Sequence, residues 1–262
     1  MATTAASFRL DNKVSVVIGG TGVLGSRMAE ALAGAGARTV IVGRDRAKAE
    51  AVLNRVERSS GSMEFEACDV VDRTQLRDLV RRVLASHSRV DVLVNAAGVN
   101  SATSLLDISD GEMDAMVGVN QLAVMRACQE FGRYFTDRAR SSGEGASIIN
   151  IGSMAGMVPL SRVFIYSMTK AAVHNLTKSL AREWGPLGIR CNVLVPGFFP
   201  AEQNRAILSA ERVEAIVDHT PLGRLGQPAD LEGAIVLLAG EAGRFITGIE
   251  LVVDGGFSAT TI

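Results

Sequence analysis

Ser153, Tyr166 and Lys170 are the residues whose types and spacing could carry proton chemistry. The run Tyr166-Ser167-Met168-Thr169-Lys170 sets a phenol and an ammonium four residues apart, one turn above each other on a helix face. A free phenol titrates near ~10 and is a poor base at neutral pH. An adjacent ammonium favours the phenolate, so Lys170 is expected to lower the Tyr166 pKa towards the working range. Ser153 follows the apolar run Ser147-Ile148-Ile149-Asn150-Ile151, which reads as a strand ending in Gly152-Ser153. A hydroxyl at the carboxyl end of a strand can hold a carbonyl oxygen where a tyrosine delivers its proton.

Positioning these groups requires a sheet and covering helices, and the chain alternates the two throughout. Val14–Ile18, Thr39–Val42, Met63–Ala67, Val92–Asn95, Ser147–Ile151, Arg190–Val195 and Ile249–Val252 read as strands. Most are continuous β-branched runs, as a parallel sheet covered on both faces requires. Helical patterns lie at 24–34, 46–58, 73–86, 110–138, 164–184 and 228–239. The expected fold is α/β: a single-domain, Rossmann-like, doubly wound parallel sheet of about seven strands flanked by helices. Within 1–262, residues 8–98 form the dinucleotide-binding half and 99–195 the catalytic half. Residues 196–226, with two helical patterns, are expected to cover the substrate as a lid, and 227–257 supply the last helix and strand.

After the first strand comes Ile18-Gly19-Gly20-Thr21-Gly22-Val23-Leu24-Gly25. Glycines there let backbone N–H groups approach a pyrophosphate at the positive end of a helix. Gly20-x-Gly22-x-x-Gly25 is the general dinucleotide fingerprint. The second strand ends Val42-Gly43-Arg44-Asp45-Arg46, with Lys48 close by. An acidic group there accepts from the ribose 2′-OH of NAD, whereas an arginine grips the 2′-phosphate of NADP. Gly43 takes the acidic place and Arg44 follows, so NADP is the expected cofactor, with NAD as the alternative through Asp45. Lys48 reads more simply as a solvated helix start.

With these motifs the chain resembles the short-chain dehydrogenases/reductases from about Leu10 to Phe257, and Pro196–Arg205, His219–Arg224, Gly22-Val23-Leu24-Gly25 and Gly255–Ala259 resemble their sugar-acid branch. The resemblance implies roles for further residues. Asp69-Val70 would receive the adenine ring, although Asp69 alone reads equally as a helix cap. Asn95-Ala96-Ala97-Gly98 would admit the cofactor ribose, and Asn120 would bend its helix and hold a water leading to Lys170. Pro196-Gly197, with Phe199, would close over the nicotinamide. In the family's register the glycine loop has Val23 where the middle glycine stands, with Gly22 beside it to lend flexibility. Ala201 replaces a threonine that often binds the carboxamide. The implied catalytic set is Asn120, Ser153, Tyr166 and Lys170. The implied cofactor set is Gly19, Thr21, Gly22, Val23, Leu24, Gly25, Arg44, Asp69, Val70, Asn95, Ala96, Ala97, Gly98, Tyr166, Lys170, Pro196, Gly197 and Phe199. The implied reaction is hydride transfer between a nicotinamide and a carbonyl or alcohol. The expected substrate is a polar keto-sugar or sugar acid, whose hydroxyls and carboxylate Gln203, Asn204 and Arg205 could meet, although each also reads as ordinary helix-surface polarity. A 3-oxoacyl thioester reductase and a non-catalytic cofactor-binding regulator are the alternatives. The family also implies a homotetramer; Ala171, Leu176, Leu180 and Trp184 put apolar surface on more than one helix face.

The whole chain sets outer limits. Its 262 residues are 47% hydrophobic, with a formal net charge of −1. That argues against a nucleic-acid surface. Cys68, Cys128 and Cys191 are far apart and sit in apolar runs, as buried reduced thiols do, and the histidines are equally scattered. No metal site is expected. No leader-like or membrane-length apolar run is present, so a cytoplasmic protein without a membrane partner is expected.

Overall fold

The computed structural model describes residues 4–55, 61–200 and 209–259. Seven strands form one sheet: β1 (Val14–Ile18), β2 (Arg38–Gly43), β3 (Ser62–Ala67), β4 (Val92–Asn95), β5 (Ala146–Ile151), β6 (Ile189–Pro196) and β7 (Glu250–Val253). Their order is β3-β2-β1-β4-β5-β6-β7, and every neighbouring pair is parallel. The winding reverses between β1 and β4, where the carboxyl ends of diverging strands open a crevice. Each expected strand is present within one residue at either end.

The helices are α1 (Thr4–Ser7), α2 (Val23–Gly34), α3 (Arg46–Leu53), α4 (Arg73–His87), α5 (Asp110–Val117), α6 (Ala123–Ser142), α7 (Phe164–Trp184), α8 (Ala210–His219) and α9 (Glu232–Ala239). Strand side chains alternate between two cores. Val14, Val16 and Ile18 face α4, α6 and α7 with Leu76, Phe131 and Phe135. Val17, Ile41 and Ile149 face α2 and α9 with Met28, Leu32 and Ile235.

Three helical expectations change. The pattern at 110–138 is two helices joined by a π-turn, Gly118–Leu122, where the Ala123 N–H reaches Gly118 O instead of the residue four back. Helix α3 ends at Leu53, capped by Asn54. The pattern at 228–239 opens as a 3-10 turn, Pro228–Leu231, before α9. Of the two helical patterns expected in 196–226, one is α8; the other, with Ala201, Gln203, Asn204 and Arg205, lies outside the described residues.

The apolar faces of α7 also divide differently. Leu176, Leu180 and Trp184 pack on the internal core, and Trp184 lies so close to α6 that a Cβ on Gly132 would sit 2.5 Å from its ring. Phe164 and Met168 are the exposed large apolar residues of α7, joined by Met125 on α6.

Candidate active site

The glycine loop owes its shape to close approach. Gly19 has φ +79, and a Cβ there would strike Ala97 N at 2.5 Å; a Cβ on Gly25 would meet Gly19 O at 2.1 Å. The loop therefore seats the start of α2 against the end of β4. Gly22, the N-cap, has ordinary extended backbone (φ −81, ψ 167) and supplies no unusual flexibility. Val23 is the first helical residue, its side chain 40% exposed at the crevice, so the departure from the family pattern leaves the loop intact. The first N–H groups of α2 have no partner within the helix and face the crevice.

That crevice is a cleft of about 420 Å³. Gly19, Thr21, Gly22, Val23, Leu24 and Gly25 form one wall. Arg44, Lys48, Asp69 and Val70 surround one end, and Ala96, Ala97 and Gly98 form the floor. Ser153, Tyr166 and Lys170 stand at the other end under Pro196, Gly197 and Phe199. Asn95 is the exception. Its amide points behind the cleft, donating to Asn150 Oδ1 (2.8 Å) and fastening β4 to β5.

The corner of the cleft at the end of β2 is tightly determined. A Cβ on Gly43 would lie 2.6 Å from Thr21 Oγ1, so Thr21 fills the space an acidic side chain there would need. Asp45 is the N-cap of α3, accepting from Lys48 N–H (3.1 Å), and Arg46 lies over the Phe65 ring. Arg44 makes no ion pair or hydrogen bond among the described residues, and its partner on the cleft wall is Lys48, which read in sequence as mere surface. The cap of α4 is Asp72, which accepts from Thr74 and Gln75 N–H. Asp69 is therefore no helix cap; its carboxylate takes the Val71 N–H in a tight turn at the cleft edge.

At the end of the cleft that holds Ser153, the Lys170 ammonium donates to Ile151 O (2.8 Å) and stands 5.6 Å from the centre of the Tyr166 ring. Burial lowers the Lys170 pKa to about 8. Tyr166 departs from expectation: burial raises its phenol above the usual 10, and a hydrogen bond with Ser153 only partly offsets that. The Lys170 ammonium, 5.6 Å from the ring centre and donating to Ile151 O, does not outweigh that burial. Asn120, fully buried, clamps Val99 at two points, accepting from its N–H and donating to its C=O (both 2.8 Å), and also donates to Thr169 Oγ1 (3.3 Å). It sits in the π-turn and bonds across to the β4 loop, not to its own helix.

A smaller pocket opens beside Tyr166 and Ser153, lined by Asn100, Leu160, Val163, Phe198 and Arg212. Asn100 Oδ1 is buried without a hydrogen-bond donor, and Arg212 is held by Ser161 O (3.3 Å). Neither carried a sequence signal; Asn100 follows the Asn-Ala-Ala-Gly motif by two residues, and Arg212 reads as ordinary helix polarity. Among the described residues no cluster of metal-ligating side chains occurs, the three cysteines are buried and free, and no helix is long and apolar enough to cross a membrane.

Residues 21–258 match the family model described as enoyl-(acyl carrier protein) reductase. The chain is 35% identical to galactitol 2-dehydrogenase of Rhizobium johnstonii over 96% of its length and 97% of the relative's. It is 31% identical to gluconate 5-dehydrogenase of Gluconobacter oxydans, covering 97% of each. Among solved structures, a gluconate 5-dehydrogenase from Burkholderia cenocepacia in complex with NADP and tartrate superposes with a TM-score of 0.92 at 32% identity, covering 99% of this chain and 100% of that one. A glycine loop at the switch point, a Ser–Tyr–Lys group across the cleft, and relatives matched along nearly their whole length agree: the chain belongs to the short-chain dehydrogenase/reductase family of oxidoreductases.

Proposed function

We propose that the protein is an NADP(H)-dependent oxidoreductase that interconverts a keto-sugar acid and its hydroxy acid. The observation that carries the substrate is the pocket beside Tyr166, where Arg212 offers a cation and Asn100 a buried, unpartnered amide oxygen. A guanidinium suits a carboxylate, and an amide oxygen without a donor suits a substrate hydroxyl. The relatives named for galactitol and gluconate, and the neighbour crystallised with tartrate, a hydroxylated dicarboxylate, support the same chemical class. Arg44 and Lys48, with position 43 crowded by Thr21, support NADP over NAD. The cradle fits a dinucleotide: a Cβ on Gly22 would meet only Gly19 O, at 3.4 Å, so the helix start is open to a phosphate.

When bound, the dinucleotide supplies or accepts the hydride. In the reducing direction the buried Tyr166 phenol, still protonated at neutral pH, donates its proton to the developing alkoxide. Ser153 Oγ hydrogen-bonds that oxygen and aligns it with the phenol. The Lys170 ammonium stabilises the phenolate left behind, and Asn120 fixes the floor beside it through Val99. Met154, Ala155, Val163 and Phe198 exclude water from the reacting carbon. We further propose a cytoplasmic homotetramer, supported by Phe164, Met168 and Met125 on the outer surface of α6 and α7.

The test is cofactor oxidation by the purified protein, NADPH against NADH, across keto-sugar acids, neutral ketoses and a 3-oxoacyl thioester. Turnover of a sugar acid with NADPH is expected. In Arg212→Met the KM for the acid should rise about tenfold to a hundredfold, as loss of a charge-assisted contact implies, with neutral ketoses little changed. Turnover of the thioester alone would move the protein to acyl reduction, and no turnover at all would leave a binding protein.

A further inference from the structure

The end of β5 that carries Ser153 is fastened to α7 at two points. One is Lys170 Nζ on Ile151 O. The other is His174, one helical turn further on, whose Nε2 accepts the Ser153 backbone N–H at 3.3 Å. His174 is buried and wedged between two glycines: a Cβ on Gly152 would lie 2.2 Å from its Nε2, and one on Gly156 3.3 Å from its Cε1. On its far side Nδ1 faces Glu250 Oε2 of β7 at 3.3 Å, an ion-pair distance without hydrogen-bond alignment. Glu250 Oε1 is in turn held by Lys178 Nζ at 2.5 Å. For Nε2 to accept, the ring must be neutral with its proton on Nδ1, the tautomer that the Glu250 carboxylate favours.

We propose that His174 is a positioning residue for the reaction: its neutral ring, oriented by Glu250 and Lys178, anchors the Ser153 backbone and so holds the catalytic hydroxyl towards Tyr166, and protonation of the ring releases that anchor. The inference rests on the oxidoreductase reading. A protonated ring would turn an N–H against the Ser153 N–H, donor against donor, and the turn carrying the hydroxyl would have to move. The charged groups facing the imidazole are Lys170 and Lys178 on its own helix and Glu250 on β7; the β5 turn presents the Ser153 N–H with Gly152 and Gly156, and β6 presents the apolar Val193 beside Gly152. Burial holds His174 below its usual 6.5, opposed by Glu250 and reinforced by the two lysines. The anchor is thus complete above pH 6.5 and is lost as pH falls through the lower folded value.

The experiment combines the pH dependence of kcat with the amide NMR shift of Ser153 in the protein without substrate. In the wild type the Ser153 amide should shift, and kcat should fall, together below pH 6.5. His174→Gln keeps an acceptor without titrating, so it should retain most of kcat and lose both pH effects. His174→Leu fills the space without an acceptor and should lower kcat about tenfold to a hundredfold at all pH values, with cofactor affinity unchanged, as a displaced catalytic group implies. Glu250→Gln removes the counter-charge and should move both pH effects to lower pH; it serves if the His174 variants fail to fold. A wild-type Ser153 amide that does not titrate, a His174→Leu variant with wild-type kcat, or a Glu250→Gln variant with an unmoved profile would each overturn the proposal. A wild type without turnover but with a titrating Ser153 amide would instead count against the oxidoreductase reading and leave the anchor standing.

Discussion

Lys170 and Tyr166 show how burial sets the resting state of a site. A lysine ammonium taken out of water loses hydration that one carbonyl contact does not restore, so its pKa falls to about 8, while the neighbouring phenol moves up. Both groups are thus in their acid forms at neutral pH, as the proposed roles of proton donor and supporting cation require. The unfolded chain holds the Lys170 proton up to about 10.5 and the folded chain only up to about 8. Folding stability should therefore rise with pH across that window because of this residue, by about 1.4 kcal/mol per unit. Urea denaturation of the wild type and Lys170→Met at several pH values reads the difference; equal slopes would show that the lysine is better solvated than its burial implies. Tyr166→Phe should cut turnover by about 10²–10⁴-fold, the usual worth of a positioned proton donor, while NADPH binding measured by fluorescence stays within a few-fold. The Tyr–Lys spacing was legible in the sequence because both residues share one helix. The direction of the tyrosine shift was not, since it depends on how deeply the folded chain buries the phenol.

Among the elements, α7 brings Trp184 close against α6, and Gly132 makes that approach possible. A methyl group there would sit 2.5 Å from the Trp184 ring, so Gly132→Ala should destabilise the protein by about 1–3 kcal/mol in spite of alanine's better helix propensity. Chemical denaturation measures this, and an unchanged midpoint would mean that Trp184 can swing aside freely. The π-turn at Gly118–Leu122 is the second element-level feature. It carries Asn120 across to Val99, whereas the sequence showed only one long helical pattern at 110–138. A single extra residue in a turn barely alters apolar periodicity, so the break was legible only through the family resemblance, which implied a bend at Asn120. The cap of α4 tells a similar story: Asp69 was a plausible cap in the sequence, but the backbone path puts Asp72 there.

On the outer helices of the whole molecule, Met168 is 67% exposed, Met125 44% and Phe164 41%. The proposed tetramer predicts a light-scattering mass four times the 27.6 kDa of the chain at micromolar concentration; a mass equal to one chain would refute it. The sequence by itself determined the seven strands, the glycine loop at the switch point and the Ser–Tyr–Lys group, because each is written in local spacing: period, turn residues, or two side chains on one helix. Tertiary structure decided the rest. Thr21 crowding Gly43 brings the glycine loop against the end of β2, Asn100 and Arg212 meet across one pocket from distant parts of the chain, and Glu250 reaches His174 from the last strand. Such pairs follow no sequence period. Their distances are set by how the helices settle on the sheet, and at that scale a few tenths of an ångström decide whether a polar group finds its partner.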